Sequence, residues 1–235
     1  MAYFDATKSF DIALSEVELL LKKAKNSERH LHDYLTYIKA AIVLLGAKFE
    51  TYAEAIVENY ADRLGKLQPR TKHLPRELRI ASTTALLSQC TGVNGFTGKS
   101  HAVLNLQSAA AMWDENFQHS QLKISNKFSY GKHGSGEMRS LFSRIGIGDI
   151  FSECQLIDKI EDSMLIGTST RISISPIIDS FTNIRNNIIH SDSTPNITHQ
   201  QIHEYKEKFW EFSYIVDLKL NNTLEKLALQ INTNP

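Results

Sequence analysis

The sequence has little of what marks several common classes of protein. Only two cysteines occur, Cys90 and Cys154, in dissimilar surroundings and with no nearby partner. That excludes a zinc site or redox pair built on them, and both read as reduced, buried thiols. An excess of either charge is also missing, because Lys plus Arg equal Asp plus Glu at 26 each. No global positive field then drives non-specific nucleic-acid binding, so an RNA contact has to use a local patch. No stretch holds the roughly 18 apolar residues of a membrane span. The opening Met-Ala-Tyr-Phe-Asp lacks the basic stretch and apolar run of a secretion signal. The expectation is a cytoplasmic protein with no membrane partner.

What is present is a chain of 235 residues, 42% of them hydrophobic, enough for one large domain or one domain with a substantial insertion. From Ser27 to about Leu64 there is no proline and one glycine, and Ile38, Ile42, Leu45, Phe49, Tyr52 and Ile56 recur at alternating spacings of four and three. This predicts one long amphipathic helix. Ahead of it Ile12, Leu14, Val17, Leu20 and Leu21 mark a shorter helix, with Asn26 and Ser27 as stop and restart, so the two form an antiparallel pair. Near the other end Thr198 caps a second long helix carrying Ile202, Tyr205, Phe209, Phe212, Val216, Leu224 and Leu227.

Between them the pattern is less regular. Pro69 and Pro75 bracket a break, and Gly92, Gly95 and Gly98 punctuate a loop before an Ala-rich stretch around Ala109. The glycine-rich turn 131–136 precedes a short helix with Met138, Leu141, Phe142 and Ile145, ended by Gly146. Arg171-Ile-Ser-Ile-Ser alternates as a short strand does. Ser175-Pro176 then opens a helix whose buried stripe is Ile177, Phe181, Ile184 and Ile188.

Candidate chemistry sits on that last helix. At about 100° per residue Asn186 and His190 share a face, whereas Arg185 and His190 differ by about 140°. The polar trio therefore projects from the bundle surface, with Arg185 lying beside Ile178 and Ile189 on the wheel. An arginine in so apolar a setting suggests a covering partner surface, and Ile178 and Ile189 are the predicted dimer interface. The opposing reading is a helix end, with His190 bonded to terminal carbonyls and Asp192 paired to it.

Arg185-Asn186-x-x-x-His190 near the end of a late helix, followed by another long helix, resembles the R-x-x-x-x-H signature of the HEPN superfamily. The segment from Ile42 to Tyr52, with Glu50 after its apolar run, resembles the long first core helix of that family. Residues 135–150 resemble the region before the motif in the RiboL-PSP-associated HEPN branch. Where that branch commonly has His-Gly-Asp, this chain has His190-Ser191-Asp192, and the His-x-Tyr extension of AMPylation-type HEPN toxins is absent. The resemblance implies an all-α, HEPN-like helical bundle with two long antiparallel helices. It spans a single domain over 1–235, in which 66–135 is an insertion or irregular helical region.

The activity implied is metal-independent endoribonuclease cleavage leaving 2′,3′-cyclic phosphate and 5′-hydroxyl ends, by a toxin or antiviral-defence effector. The residue types suit it. A neutral imidazole can take the proton of a ribose 2′-hydroxyl, and a permanently charged guanidinium can stabilise the phosphorane. His190 would be base or acid, Arg185 the stabiliser, and Asn186 an orienting group, with no cofactor and no metal. The partners implied are RNA, a second copy of the chain, and an antitoxin or defence-system protein. The alternative is a non-catalytic HEPN-like module that binds RNA or protein. Lys66, Arg70, Lys72, Arg76 and Arg79 cluster with only Glu77 opposing them, and form either a track for an RNA backbone or a solvated loop. His199 and His203 have helical metal-ligand spacing but no identified carboxylate or cysteine partner, so an exposed first turn is the simpler reading. Lys132 in the glycine turn 131–136 lacks the P-loop order, which favours a plain connection over an anion site.

Overall fold

The computed structural model describes residues 2–90, 96–128, 134–159 and 169–233. The long helix expected after Ser27 is α2 (Leu31–Lys66), and the shorter helix before it is α1 (Asp5–Asn26). The chain then passes through a 3₁₀ turn (Thr71–His73), α3 (Arg76–Ser88), α4 (Phe96–Ala111), α5 (Ser135–Ser143) and the single turn α6 (Ile150–Glu153). A hairpin of β1 (Leu156–Lys159) and β2 (Ser169–Ile172) leads to α7 (Ser175–Ser191) and α8 (His199–Thr233). The alternating Arg171 segment thus supplies part of β2, which pairs antiparallel with β1 in the register Leu156 to Ile172. The fold is otherwise all-α.

Local chemistry sets the helix ends. Pro176 stands in the first turn of α7, where a missing N–H costs nothing. Thr198 and Gln201 make a reciprocal capping box at α8: the Gln201 N–H donates to the Thr198 hydroxyl, and the Thr198 N–H donates to the Gln201 side-chain oxygen at 2.9 Å. Gly146 adopts φ +85 after α5, and a Cβ there would lie 2.6 Å from Pro75, so both backbone and space require glycine. Of the glycine turn 131–136, residues 131–133 lie outside the described residues, as do Gly92 and Gly95.

α1, α2, α7 and α8 form the bundle around one core. Phe49 of α2 stacks on Phe209 of α8 at 4.2 Å between centroids, Phe181 of α7 meets Phe209 edge-on at 5.1 Å, and Phe10 of α1 stacks on Tyr52 at 5.0 Å. Such pairs add about 0.5–1.5 kcal/mol each beyond the area they bury. The Tyr52 hydroxyl donates to the Ser213 carbonyl at 3.0 Å, and burial raises its pKa well above the usual phenol value. Buried Asp217 of α8 accepts from the Phe4 N–H at 2.8 Å, the Thr7 hydroxyl at 2.7 Å and the Asn221 amide at 2.7 Å, fastening the chain start to α8.

Paired residues give the helix directions. α1 runs antiparallel to α2, with Glu16 bridged to Lys48. α8 runs in the same sense as α2: Tyr34 meets His199, Tyr52 meets Ser213 and Arg63 meets Asn221. The antiparallel relation expected of the long helices therefore holds for α1 and α2 but not for α2 and α8. α7 intervenes, running antiparallel to both, so the last helix comes back in the direction of α2.

Candidate active site

α7 is held at both ends. Near its start the Asp179 carboxylate accepts from the Ser135 N–H at 2.8 Å and the Ser135 hydroxyl at 2.7 Å, capping the N-terminus of α5 from the side. At its end Asp192 turns into the left-handed region (φ 43), and its N–H closes on the Asn187 carbonyl. Lys39 of α2 donates to the Asp192 carboxylate at 2.7 Å and to its carbonyl at 3.2 Å. That hydrogen bond and the ammonium charge hold the Asp192 carboxyl below its ordinary pKa. Asp192 is thus paired to Lys39 rather than to His190.

Arg185 does not project into solvent as the wheel suggested. Its side chain is only 13% exposed, and its two terminal nitrogens grip the Glu50 carboxylate at 3.1 and 3.3 Å. The reason is Gly46, one turn before Glu50 on α2. A Cβ at Gly46 would come within 2.9 Å of Arg185 Cδ and 3.2 Å of its Nε, so the arginine stem lies in the space a side chain would fill. Its buried Nε has no hydrogen-bond partner among the described residues. The guanidinium is therefore pre-set by a two-pronged ion pair across the α2–α7 seam.

His190 is the opposite case. It is exposed, one residue before the end of α7, and has no side-chain partner among the described residues. Five residues of helix put it about 7.5 Å beyond Arg185 along the axis. Asn186 is half-buried and Asn187 exposed. Beside this helix a cavity of about 380 Å³ is lined by Ile177, Ser180, Ile184, Tyr205 and Lys208.

The predicted interface pair splits. Ile189 is 47% exposed, but Ile178 is 3% exposed and belongs to the core, so it offers nothing to a partner. On the wheel Ile178 sits next to Phe181: the buried residues of α7 are Ile178, Phe181 and Ile188, whereas Ile177 and Ile184 of the expected stripe are half-buried and line the cavity.

The basic cluster lies elsewhere. Lys66 ends α2, about 24 Å along the helix from Glu50, and Arg70, Lys72, Arg76 and Arg79 follow it. Arg79 is packed: its guanidinium lies 4.7 Å from the Trp113 ring and Nε donates to the Met112 carbonyl at 3.1 Å. Lys66, Lys72 and Arg76 are exposed and Arg70 is half-buried. The structure therefore does not bring this cluster to Arg185 and His190. His199 and His203 face separate carboxylates, Glu28 at 3.4 Å and Glu18 at 3.3 Å. Among the described residues no group of three or more His, Cys, Asp or Glu is placed to hold a metal ion. Cys154 is buried, and burial pushes its thiol up to about 12, while Cys90 is half-buried with its thiol toward the Leu86 carbonyl.

Sequence reasoning missed Gly46, Lys39 and Asp179. The lone glycine amid the apolar run of a 36-residue helix was the available signal for the first.

A helical bundle in which the arginine of an R-x-x-x-x-H helix is clasped by an acidic residue of the long second helix defines a HEPN-type domain. The chain belongs to the RiboL-PSP-HEPN family, whose model matches residues 9–222. That span takes in both halves of the Arg185–Glu50 pair and His190. No curated protein and no solved structure matches the chain. No helix among the described residues is long and apolar enough to cross a membrane.

Proposed function

We propose that the chain is a metal-independent endoribonuclease in which His190 and Arg185 act on the scissile phosphate. The observation that carries this reading is the contrast within one motif: a guanidinium fixed by Glu50 over Gly46, and an imidazole left exposed and unengaged 1.4 turns further on. A residue kept only as a helix cap would be expected to bond the last carbonyls. Asp192 and Lys39 already occupy that role.

In the proposed reaction the 2′-oxygen of the ribose attacks phosphorus and the bond to the 5′-oxygen breaks. The 2′-proton passes to an imidazole, and the departing 5′-oxygen takes a proton from an imidazolium. The products are a 2′,3′-cyclic phosphate and a 5′-hydroxyl. Arg185 stabilises charge on the phosphorane, and Asn186 orients phosphate or imidazole. One subunit presents its two groups on different sides of α7, so the reading includes a homodimer in which two copies of the motif share one cleft, with exposed Ile189 at the seam. A toxin or antiviral-defence setting, a cytoplasmic location and a neutralising partner protein accompany the reading as its biological frame.

The test is incubation of the purified protein with RNA in excess EDTA beside His190→Ala. Cleavage by the first and not the second supports the proposal, and strict dependence on added divalent metal overturns it. A second reading, a non-catalytic module that binds RNA or protein, is favoured by one observation: the charge of Arg185 is already matched by Glu50. That reading expects binding without cleavage in the same assay.

A further inference from the structure

A second cavity, of about 320 Å³, lies at the other end of α2. Its wall is the segment after α4, laid antiparallel against the segment after α2: the Thr71 N–H donates to the Phe117 carbonyl at 3.0 Å and the His119 N–H to the Pro69 carbonyl at 2.9 Å. Gly65 permits this approach, since a Cβ there would lie 3.0 Å from the Ser120 carbonyl oxygen. Phe117, His119, Asn105, Gln118, Gln121 and Lys123 are among the residues that line the cavity. None of the residues lining it is acidic.

Phe117 is 46% exposed and lies against the His119 ring at 5.0 Å between centroids, so an aromatic side chain stands open to solvent at the cavity. His119 is 3% exposed and its Nε2 is taken by the Thr71 hydroxyl at 2.7 Å, which leaves its ring as fixed wall. The Asn105 and Gln118 amides donate to Gln89 at 3.5 Å and to Gln68 at 3.4 Å, and an aromatic side chain, the exposed Gln121 amide with donor and acceptor together, a cation and no carboxylate suit a nucleobase with its phosphate. The volume lies at the lower end of the roughly 300–1,000 Å³ of small-ligand sites. Arg70 is bridged by its backbone to Gln118, and Lys66 is the neighbour of Gly65, so part of the basic cluster flanks this cavity rather than the motif.

We infer that this cavity is a base-recognition subsite for single-stranded RNA, remote from the cleavage motif; the inference rests on the ribonuclease reading for its choice of RNA. Lys39, which holds the end of the motif helix, and Gly65, which abuts the cavity, are about 39 Å apart along α2. At a stacked rise of about 3.4 Å per nucleotide, about a dozen nucleotides span that distance.

The test measures the affinity of the full chain, carrying His190→Ala so that RNA is not consumed, for a fluorescein-labelled, unstructured RNA of about 20 nucleotides, a length that exceeds that span. Gln121→Ala and Phe117→Leu should each weaken binding about tenfold, and Lys123→Ala should flatten the salt dependence of log affinity by about 0.7. Gln121 and Lys123 are exposed, so those two variants report on binding without disturbing packing, and thermal melts verify it. Unchanged RNA affinity in all three variants overturns the inference, and so does the finding that they instead release a bound protein. Cleavage by the unmodified chain is followed in parallel. Weakened binding in the variants with no cleavage by the unmodified chain supports the subsite and removes the nuclease reading. Cleavage with unaltered affinity in the variants does the reverse.

Discussion

Arg185 and His190 belong to one motif but sit in different surroundings, so their substitutions should separate. His190 is exposed and has no side-chain partner among the described residues. His190→Ala is expected to lower RNA cleavage by orders of magnitude while changing stability by no more than about 0.5 kcal/mol. Arg185→Ala is expected to remove the same activity and also to break the ion pair with Glu50 at the α2–α7 seam, at a cost of about 1–3 kcal/mol. Denaturant unfolding of the two variants checks this, and equal midpoints would contradict the clasp. Arg185→Lys should recover little activity, because an ammonium cannot grip a carboxylate with two parallel bonds.

At the scale of elements, α2 carries the burden of placing the site, through Lys39, Gly46 and Glu50 on a face that meets α7. Gly46→Ala gains about 1 kcal/mol of helix propensity yet drives a methyl group into the Arg185 stem. The expected result is a stability change near zero with cleavage reduced at least tenfold, measured by initial rates and unfolding in parallel; undiminished rates would mean that the arginine position is not critical. The segment around His119 carries its own pH signature. Burial holds the His119 imidazole below its ordinary pKa, so the folded state keeps it neutral while the unfolded chain takes up a proton near pH 6.5. That contribution to stability is complete above the unfolded value and is lost as the pH falls below it toward the folded one. Melting temperature should therefore drop between about pH 7 and 5, and His119→Gln should flatten the drop. Much of this architecture was legible in the sequence. The 3–4 spacing in α1, α2 and α8, Pro176 and the Thr198 cap each state a local preference that the bundle keeps. The α2–α7 clasp was not legible as geometry, because it pairs residues 135 positions apart and a helical wheel holds no information about what covers a face. The same gap put Ile178 on the surface and left β1 unforeseen.

For the whole molecule, the proposed homodimer makes a prediction that the two isoleucines of α7 distinguish. Ile189→Asp should weaken self-association and lower specific activity with the fold intact, because the new charge falls on an exposed position. Ile178→Asp should unfold the chain, since it buries an unpaired carboxylate in the core. Sedimentation of the two variants beside far-ultraviolet circular dichroism separates the cases, and a monomer that cleaves at full rate per chain would remove the shared cleft. Co-expressed Arg185→Ala and His190→Ala chains extend the test, as activity regained on mixing requires arginine and histidine from opposite subunits. The central claim is the chemistry itself, cleavage by attack of the neighbouring 2′-oxygen under the control of His190. The most direct measurement uses an RNA oligonucleotide whose cleavage position has been mapped, with a single 2′-deoxyribose placed there. That bond should resist cleavage in EDTA while the all-ribose oligonucleotide is cut to a 2′,3′-cyclic phosphate and a 5′-hydroxyl. Equal cutting of the two would contradict attack by the 2′-oxygen.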